Sequence, residues 1–159
     1  MIDAKQLREL VIRPVLEHLN LYSPVAENLI AGTAAQESGL RYLHQMGRGP
    51  AVGLWQMEPA THDDLWTNYL RYNQKLSQLV HDLELPAWAA GASEMAGNMY
   101  YAAAMCRVHY KRVKAPLPAD PNDVWAIAQY WKSYYNTPLG KGKVEEFVLN
   151  YEKVRTTAP

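Results

Sequence analysis

The sequence predicts a mainly helical fold with very little sheet. Apolar residues recur at helical spacing, as Leu7, Leu10, Val11, Val15 and Leu19 near the start and Met95, Met99, Ala103, Cys106 and Tyr110 further on. Helix-start chemistry recurs as well. Ser23-Pro24 and Asp120-Pro121 each join a side-chain acceptor at the cap to a proline where no N–H is needed. Glycines and prolines gather largely in bends between the periodic segments.

In chain order, Asp3 caps a first helix expected to reach about Leu19, with Leu7, Leu10, Val11, Val15 and Leu19 on its buried face. Pro14 lies inside it and should kink it or delay its start. The second helix runs from Ser23-Pro24 to about Ser38, with Gly39 as its natural terminator. Residues 40–57 hold Gly47, Gly49, Pro50 and Gly53 and read as an irregular loop with a short hairpin. A third helix starts near Pro59 and reaches about Tyr69. A polar helical stretch from Tyr72 to Leu83 breaks at Pro86. The fourth helix is expected over Ala92 to Arg112. After the bend KAPLPADP, a fifth runs from Asp120-Pro121 to about Tyr135. TPLGKGK is a turn, and Val144 to Val154 forms a closing helix.

The 159 residues suit one domain spanning 1–159. A chain of this size buries roughly 68–70% of its unfolded surface, so a core forms without staples. The net charge is zero, so no global field recruits nucleic acid or an anionic membrane. No segment approaches the ~20 apolar residues that span a bilayer, and no signal peptide is visible in the charged N-terminus. One cysteine, Cys106, excludes an internal disulfide and a cysteine-cluster zinc site. Five Trp and eleven Tyr stand against a single Phe, a balance that suits the walls of a wet groove as well as a core boundary.

Glu37 is the most informative residue. Ser38 to Met57 contains no other acidic side chain. With about 100° per residue and Ala26 as zero, Ile30 falls at about 40°, Thr33 at about −20° and Glu37 at about 20°. Glu37 therefore continues the core-facing stripe, while Glu27 and Gln36 are expected on the outer face. A carboxyl in that place is partly desolvated, which penalises the anion and raises its pKa, and the helix C-terminus acts in the same sense. A carboxyl protonated near neutral pH serves as a general acid. The plainer reading is a glutamate that accepts a backbone N–H of the following loop and pins it.

Glu37-Ser38, followed at nineteen positions by Gln56 within Gly53-Leu54-Trp55-Gln56-Met57-Glu58-Pro59-Ala60-Thr61, resembles the lytic transglycosylase (SLT) family of the lysozyme-like superfamily. Glu37 matches that family's catalytic acid, Ser38 the serine beside it, Gln56 the glutamine of its Gly-Leu-Met-Gln run, and Pro59 and Thr61 its helix start. Asn98-Met99-Tyr100-Tyr101 is similar to its Asn-led helical motif. Ala126-Ile127-Ala128-Gln129-Tyr130 is similar to its Ala-Leu-Ala-x-Tyr-Asn motif, whose tyrosine approaches the acid. Trp55, Pro50, Glu58 and Trp131 depart from the pattern. Trp131 stands where an Asn follows the tyrosine, so Tyr134 or Tyr135 is an alternative to Tyr130. The resemblance implies a lysozyme-like fold, helices packed around a central one ending at Glu37 beside a substrate groove. It also implies an enzyme that cuts the MurNAc–GlcNAc bond of peptidoglycan without water and leaves a 1,6-anhydro sugar.

Bond cleavage between these sugars needs a proton for the leaving oxygen and a partner for the developing cation. Two-carboxylate glycosidases place a second acid about 5–9.5 Å away. The empty interval after Glu37 disfavours such a pair and favours a single glutamate acting as acid and then base. Ser38, Gly53, Trp55, Gln56 and Tyr130 are the expected substrate-binding residues, with Trp55 leaning toward the core and Gly47 and Gly49 giving backbone access. Glu58, at a helix start, is a dipole partner or, turned into the groove, the second acid of a hydrolytic muramidase. Asp63 and Asp64 are expected to be solvated.

His18, His44, His62, His81 and His109 form no metal-binding spacing, and no cofactor is expected. His44 alone lies in the groove loop. Cys106 is expected in the core. Arg107, Lys111, Arg112 and Lys114 end a helix, where cations suit the dipole and can attract an anionic wall polymer. GKGK at 140–143 lacks the phosphate-loop pattern. The expected partner is a peptidoglycan strand met by a monomer, with a phage route to the wall by holin-assisted release or in the virion. A reading of another class is a non-catalytic glycan-binding or structural virion module.

Overall fold

A computed structural model describes residues 1–86 and 91–155. The fold is mainly helical, and among the described residues backbone pairing outside helices is limited to isolated antiparallel bridges, His44 with Val52 and Val52 with Met57. The helices are α1 (Ala4–Leu7), α2 (Arg13–His18), α3 (Pro24–Ser38), α4 (Pro59–Asn68), α5 (Gln74–His81), α6 (Met99–Lys111), α7 (Val124–Trp131) and α8 (Val144–Val154). Wider π segments occupy Arg8–Ile12 and Lys132–Asn136, and tighter 3₁₀ turns occupy Leu70–Tyr72 and Gly91–Ala96. No helix among the described residues is long and apolar enough to cross a membrane.

Asp3 accepts the Gln6 N–H at 2.9 Å and starts α1. Pro14 does not end the helix. The chain widens ahead of it, with the Arg13 N–H reaching back to the Arg8 carbonyl. The carbonyl four residues before Pro14, that of Leu10, accepts the Tyr100 hydroxyl at 3.1 Å. The widened turn changes which residues face inward. Leu10, expected on the buried face, is 60% exposed, whereas Arg8, Ile12 and Leu16 are buried.

α3 is the centre of the fold and packs against α2, α6, α7, α8 and the first π segment. Ser23 caps it by accepting the Ala26 N–H, Pro24 fills its first position, and Gly39 ends it at φ 57°. Because α3 is covered on every side, Glu27 is not the surface residue expected. It is 6% exposed and held by Arg13 through two hydrogen bonds, Nε at 2.9 Å and Nη2 at 3.1 Å, with Arg8 Nη1 at 3.5 Å. Trp55 crosses α3 from the loop side and donates its indole N–H to the Ile30 carbonyl at 2.9 Å.

α4 starts at Pro59 as expected, with Glu58 as its cap residue and no side-chain cap bond. Two helix boundaries differ from expectation, each for a side-chain reason. The stretch from Ala92 is a 3₁₀ turn, and α6 begins only at Met99. Asn98 accepts the Tyr101 N–H at 3.1 Å and donates to the Leu83 carbonyl and Glu94, both at 2.7 Å, which interrupts the run. Asp120 is spent on a local turn, accepting the Asn122 N–H at 2.8 Å, so Asp123 caps α7 through the Ala126 N–H at 2.9 Å. α7 stops at Trp131 and continues as the second π segment. The polar stretch after Tyr72 forms α5, capped by Asn73. α8 spans Val144–Val154 as expected.

α4 is fastened to α6 through Tyr101. The Trp66 indole donates to the Tyr101 hydroxyl at 2.9 Å, which leaves that hydroxyl to donate to His62 Nε2 at 2.7 Å and His62 Nδ1–H to donate to Asp63. Arg112 pairs with Asp64, and Arg107 is 6% exposed, so the expected basic patch at the end of α6 is not a continuous surface feature. Cys106 is fully buried in the core.

Replacing Glu27 by alanine leaves Arg8 without its carboxylate inside the molecule. Urea denaturation should show a loss of about 3 kcal/mol, against less than ~0.5 kcal/mol for Leu10→Ala on the exposed face.

Candidate functional site

Glu37 sits in the last turn of α3, where the helix leaves the core and meets two clefts. The larger, of 830 Å³, runs between the end of α3, residues 41–46 and α8, and its walls include Gln36, Glu37, Ser38, Arg41, Tyr42 and Lys153. The smaller, of 380 Å³, lies between the start of α4, His109 of α6 and the second π segment, and is lined by Glu37, Gln56, Glu58, Thr61 and Tyr135 among others. Glu37 and Gln56 line both clefts.

Gln56 is placed by a tight turn. Val52 and Met57 exchange backbone hydrogen bonds at 2.9 and 3.1 Å, and Gly53 and Gln56 between them both adopt left-handed backbone, φ 78° and 47°. A side chain at Gly53 would begin 2.6 Å from the Met95 carbonyl oxygen, so this glycine serves close internal packing. Gln56 bears the left-handed strain that a non-glycine residue carries, and its side-chain N–H locks the turn by donating to the Gly53 carbonyl at 2.8 Å. The Gln56 Oε1 takes no part in these side-chain hydrogen bonds, which use Nε2 alone.

The Glu37 carboxyl is partly buried. Burial pushes its pKa from the ordinary 4.5 up to about 7, against the opposing pull of a hydrogen bond from Trp131. The Trp131 indole N–H donates to Glu37 Oε1 at 2.8 Å. Thus the bond given to Glu37 comes from α7 and not from the loop that follows α3. An indole N–H only donates, so Oε1 keeps a lone pair toward it and the acid proton is favoured on Oε2. Trp131 is itself fully buried, its ring 5.2 Å from that of Phe147.

The expected site residues separate into two groups. Glu37, Ser38 and Gln56 line the larger cleft, and Glu58 joins Glu37 and Gln56 in the smaller. Ser38 is buried and donates its hydroxyl to the Ala34 carbonyl at 3.1 Å. Glu58 is exposed on the wall of the smaller cleft. Trp55 is 1% exposed and belongs to the core. Tyr130 donates its hydroxyl to the Ala115 carbonyl at 2.8 Å and lines neither cleft. Tyr135, one π turn later, does face the site and donates to the Trp55 carbonyl at 2.7 Å. His44 is exposed on the bridge to Val52 and lines neither cleft.

Sequence reasoning missed Trp131 as a contact of Glu37, treating it only as a departure at the position after Tyr130. It also missed His109, Arg41, Tyr42 and Lys153. His109 Nε2–H donates to the Tyr134 carbonyl at 2.8 Å, and burial lowers its pKa, so it is neutral in the wall of the smaller cleft. Its position on α6, one residue before the buried Tyr110, was the available signal. Among the described residues no group of three or more His, Cys, Asp or Glu side chains is gathered as metal ligands are.

No known protein family, no curated protein and no solved structure matches this chain.

The raised Glu37 pKa has a stability consequence with a defined sign. Between pH ~4.5 and about 7 the folded chain holds the Glu37 proton that the unfolded chain has released, so this group costs stability as pH rises through that window. Glu37→Gln removes the cost. It should raise the unfolding free energy by about 1–3 kcal/mol at pH 8 and by little at pH 4, read by urea denaturation at both values. Trp131→Phe deletes the donor that favours the anion, so carboxyl NMR titration should place the Glu37 pKa higher than in the intact chain.

Proposed function

We propose that this chain is a lysozyme-like enzyme that cuts peptidoglycan glycan strands at the MurNAc–GlcNAc bond by lytic transglycosylation, with Glu37 as acid and then base. The observation that carries the reading is a partly buried carboxyl with a pKa near 7, lining two clefts that Gln56 also lines. The Glu-Ser and Gly-Leu-Trp-Gln motifs support it, since Glu37, Ser38 and Gln56 are the members that the fold brings to one wall.

In the proposed reaction a strand lies across both clefts with its scissile oxygen at Glu37. The Glu37 proton passes to that oxygen as the bond to C1 breaks. The substrate's own acetamido oxygen covers the electron-poor C1. The C6 hydroxyl of the same sugar then bonds to C1, and its proton returns to the Glu37 carboxylate. Water is neither consumed nor released, and the product carries a 1,6-anhydro ring. Trp131 holds Oε1 throughout and stabilises the transient anion by its N–H. Gln56 Oε1 accepts an acetamido N–H and sets the sugar's position.

A second reading has a specific observation in its favour. Glu58 shares the smaller cleft with Glu37, so a hydrolytic muramidase with Glu58 activating water uses the same walls.

Digestion of purified sacculi followed by mass spectrometry tests both. Transglycosylation yields anhydro-muramyl ends, and hydrolysis yields reducing ends. Glu37→Gln should lower strand cleavage by at least ~10²-fold, and unchanged lysis in that variant sinks the catalytic reading. Activity of the intact chain should fall as pH rises above about 7, because the acid form of Glu37 is lost there.

A further inference from the structure

We propose that the larger cleft is a subsite for ionised carboxylates, so that this protein selects an anionic, carboxylate-bearing glycan over a neutral one through Arg41 and Lys153. The inference rests on the reading of Glu37 as a glycan-cleaving acid and names the class of strand that acid receives.

The two clefts carry opposite charge. Arg41 and Lys153 stand in the walls of the larger, where Glu37 is the one acidic residue of the lining. The lining of the smaller contains Glu37 and Glu58, no Arg or Lys, and a His109 kept neutral by burial. Charge thus changes sign along the groove across the Glu37–Gln56 junction. A strand that spans both has one direction in which its anionic substituents meet cations and its neutral sugar meets Glu58. Near neutral pH Glu37 is partly protonated and offsets only part of the positive field.

Gly39 and Leu40 take left-handed backbone in succession, φ 57° and 58°, which reverses the chain at the end of α3, and the Arg41 N–H donates to the Ser38 carbonyl at 3.1 Å. Arg8, Arg13 and Arg112 are spent on carboxylates. Arg41 has no acidic partner among the described residues. Lys153 is tethered across the α3–α8 wall: its Nζ donates to Asn150 Oδ1 at 3.0 Å, and Asn150 Nδ2 donates to Gln36 Oε1 at 2.8 Å. Two of the three ammonium N–H groups remain for a ligand. Carboxylates fit this pair, since a guanidinium forks onto both oxygens and an ammonium adds a point charge.

The test measures binding apart from cleavage. End-labelled muramyl glycan strands are titrated by fluorescence anisotropy onto the Glu37→Gln chain, in parallel with the same strands after their carboxyls are converted to methylamides. Exposed charge pairs are each worth a small factor, so Arg41→Ala with Lys153→Ala should weaken native-strand binding roughly three- to twentyfold. The methylamide strands should bind both proteins alike, and the difference should shrink in high salt. Arg41→Lys with Lys153→Arg should restore most of the native-strand affinity. An equal loss on native and methylamide strands, or no loss on native strands, overturns the inference. If native strands bind with this charge dependence but the intact chain cuts none of them, the proposed reaction fails while the anionic subsite stands.

Discussion

Glu37 is held half inside the molecule because α3 is enclosed by helices on every side, and one hydrogen bond from Trp131 makes that position tolerable for both protonation states. A carboxylate stripped of water and left unpaired carries a heavy penalty. A proton removes the penalty at lower pH, and the indole N–H reduces it at higher pH. The balance leaves the group near the midpoint of its titration at neutrality. Much of the C-terminal third is arranged to hold the indole there. α7 delivers Trp131 into the core, Phe147 of α8 backs its ring, and Gly142 passes so close that a Cβ would lie 2.6 Å from Trp131 Cη2.

Both π segments serve this arrangement. A π turn inserts one extra residue into a helix and re-aims the side chains on either side of it. After Trp131 it turns Tyr135 toward the Trp55 carbonyl, which ties the helix to the Gly53–Gln56 turn. Ahead of Pro14 the same device brings Arg8 inside, where it meets Glu27, Asn28 and Tyr151. That cluster secures the N-terminal half of α3 while Trp131 secures its end. A buried pair of this kind adds little net stability over an apolar packing, but it fixes which faces meet.

The zero net charge conceals a local arrangement. Lys153 is far in sequence from Glu37, Arg41 and Glu58, yet all four line the two clefts that share Glu37. Fields inside a cleft depend on which charges line it and on what low-dielectric walls surround them, so whole-chain totals carry no information about it. The same holds for the end of α6, where Arg107 is buried, Arg112 is paired with Asp64, and Lys111 and Lys114 are left exposed.

The sequence by itself determined the helical class, the positions of α3 and α8, the caps at Asp3, Ser23 and Gly39, and the inward direction of Glu37. These follow from periodicity and from side chains that bond backbone within a few residues, which are local rules. Only the tertiary structure decided that Glu27 is buried, that Leu10 is exposed, that Asn98 and Asp123 rather than their upstream neighbours start helices, and that Trp131 instead of Tyr130 reaches the carboxyl. Apart from the Asp123 cap, which follows from the local turn at Asp120, each of those outcomes depends on a partner far along the chain or on a π turn that shifts the helical phase. Trp131 and Glu37 are 94 residues apart, and no spacing rule connects them. Their contact exists because α3, α7 and α8 enclose one another, and that enclosure sets the pKa of the group on which the proposed chemistry rests.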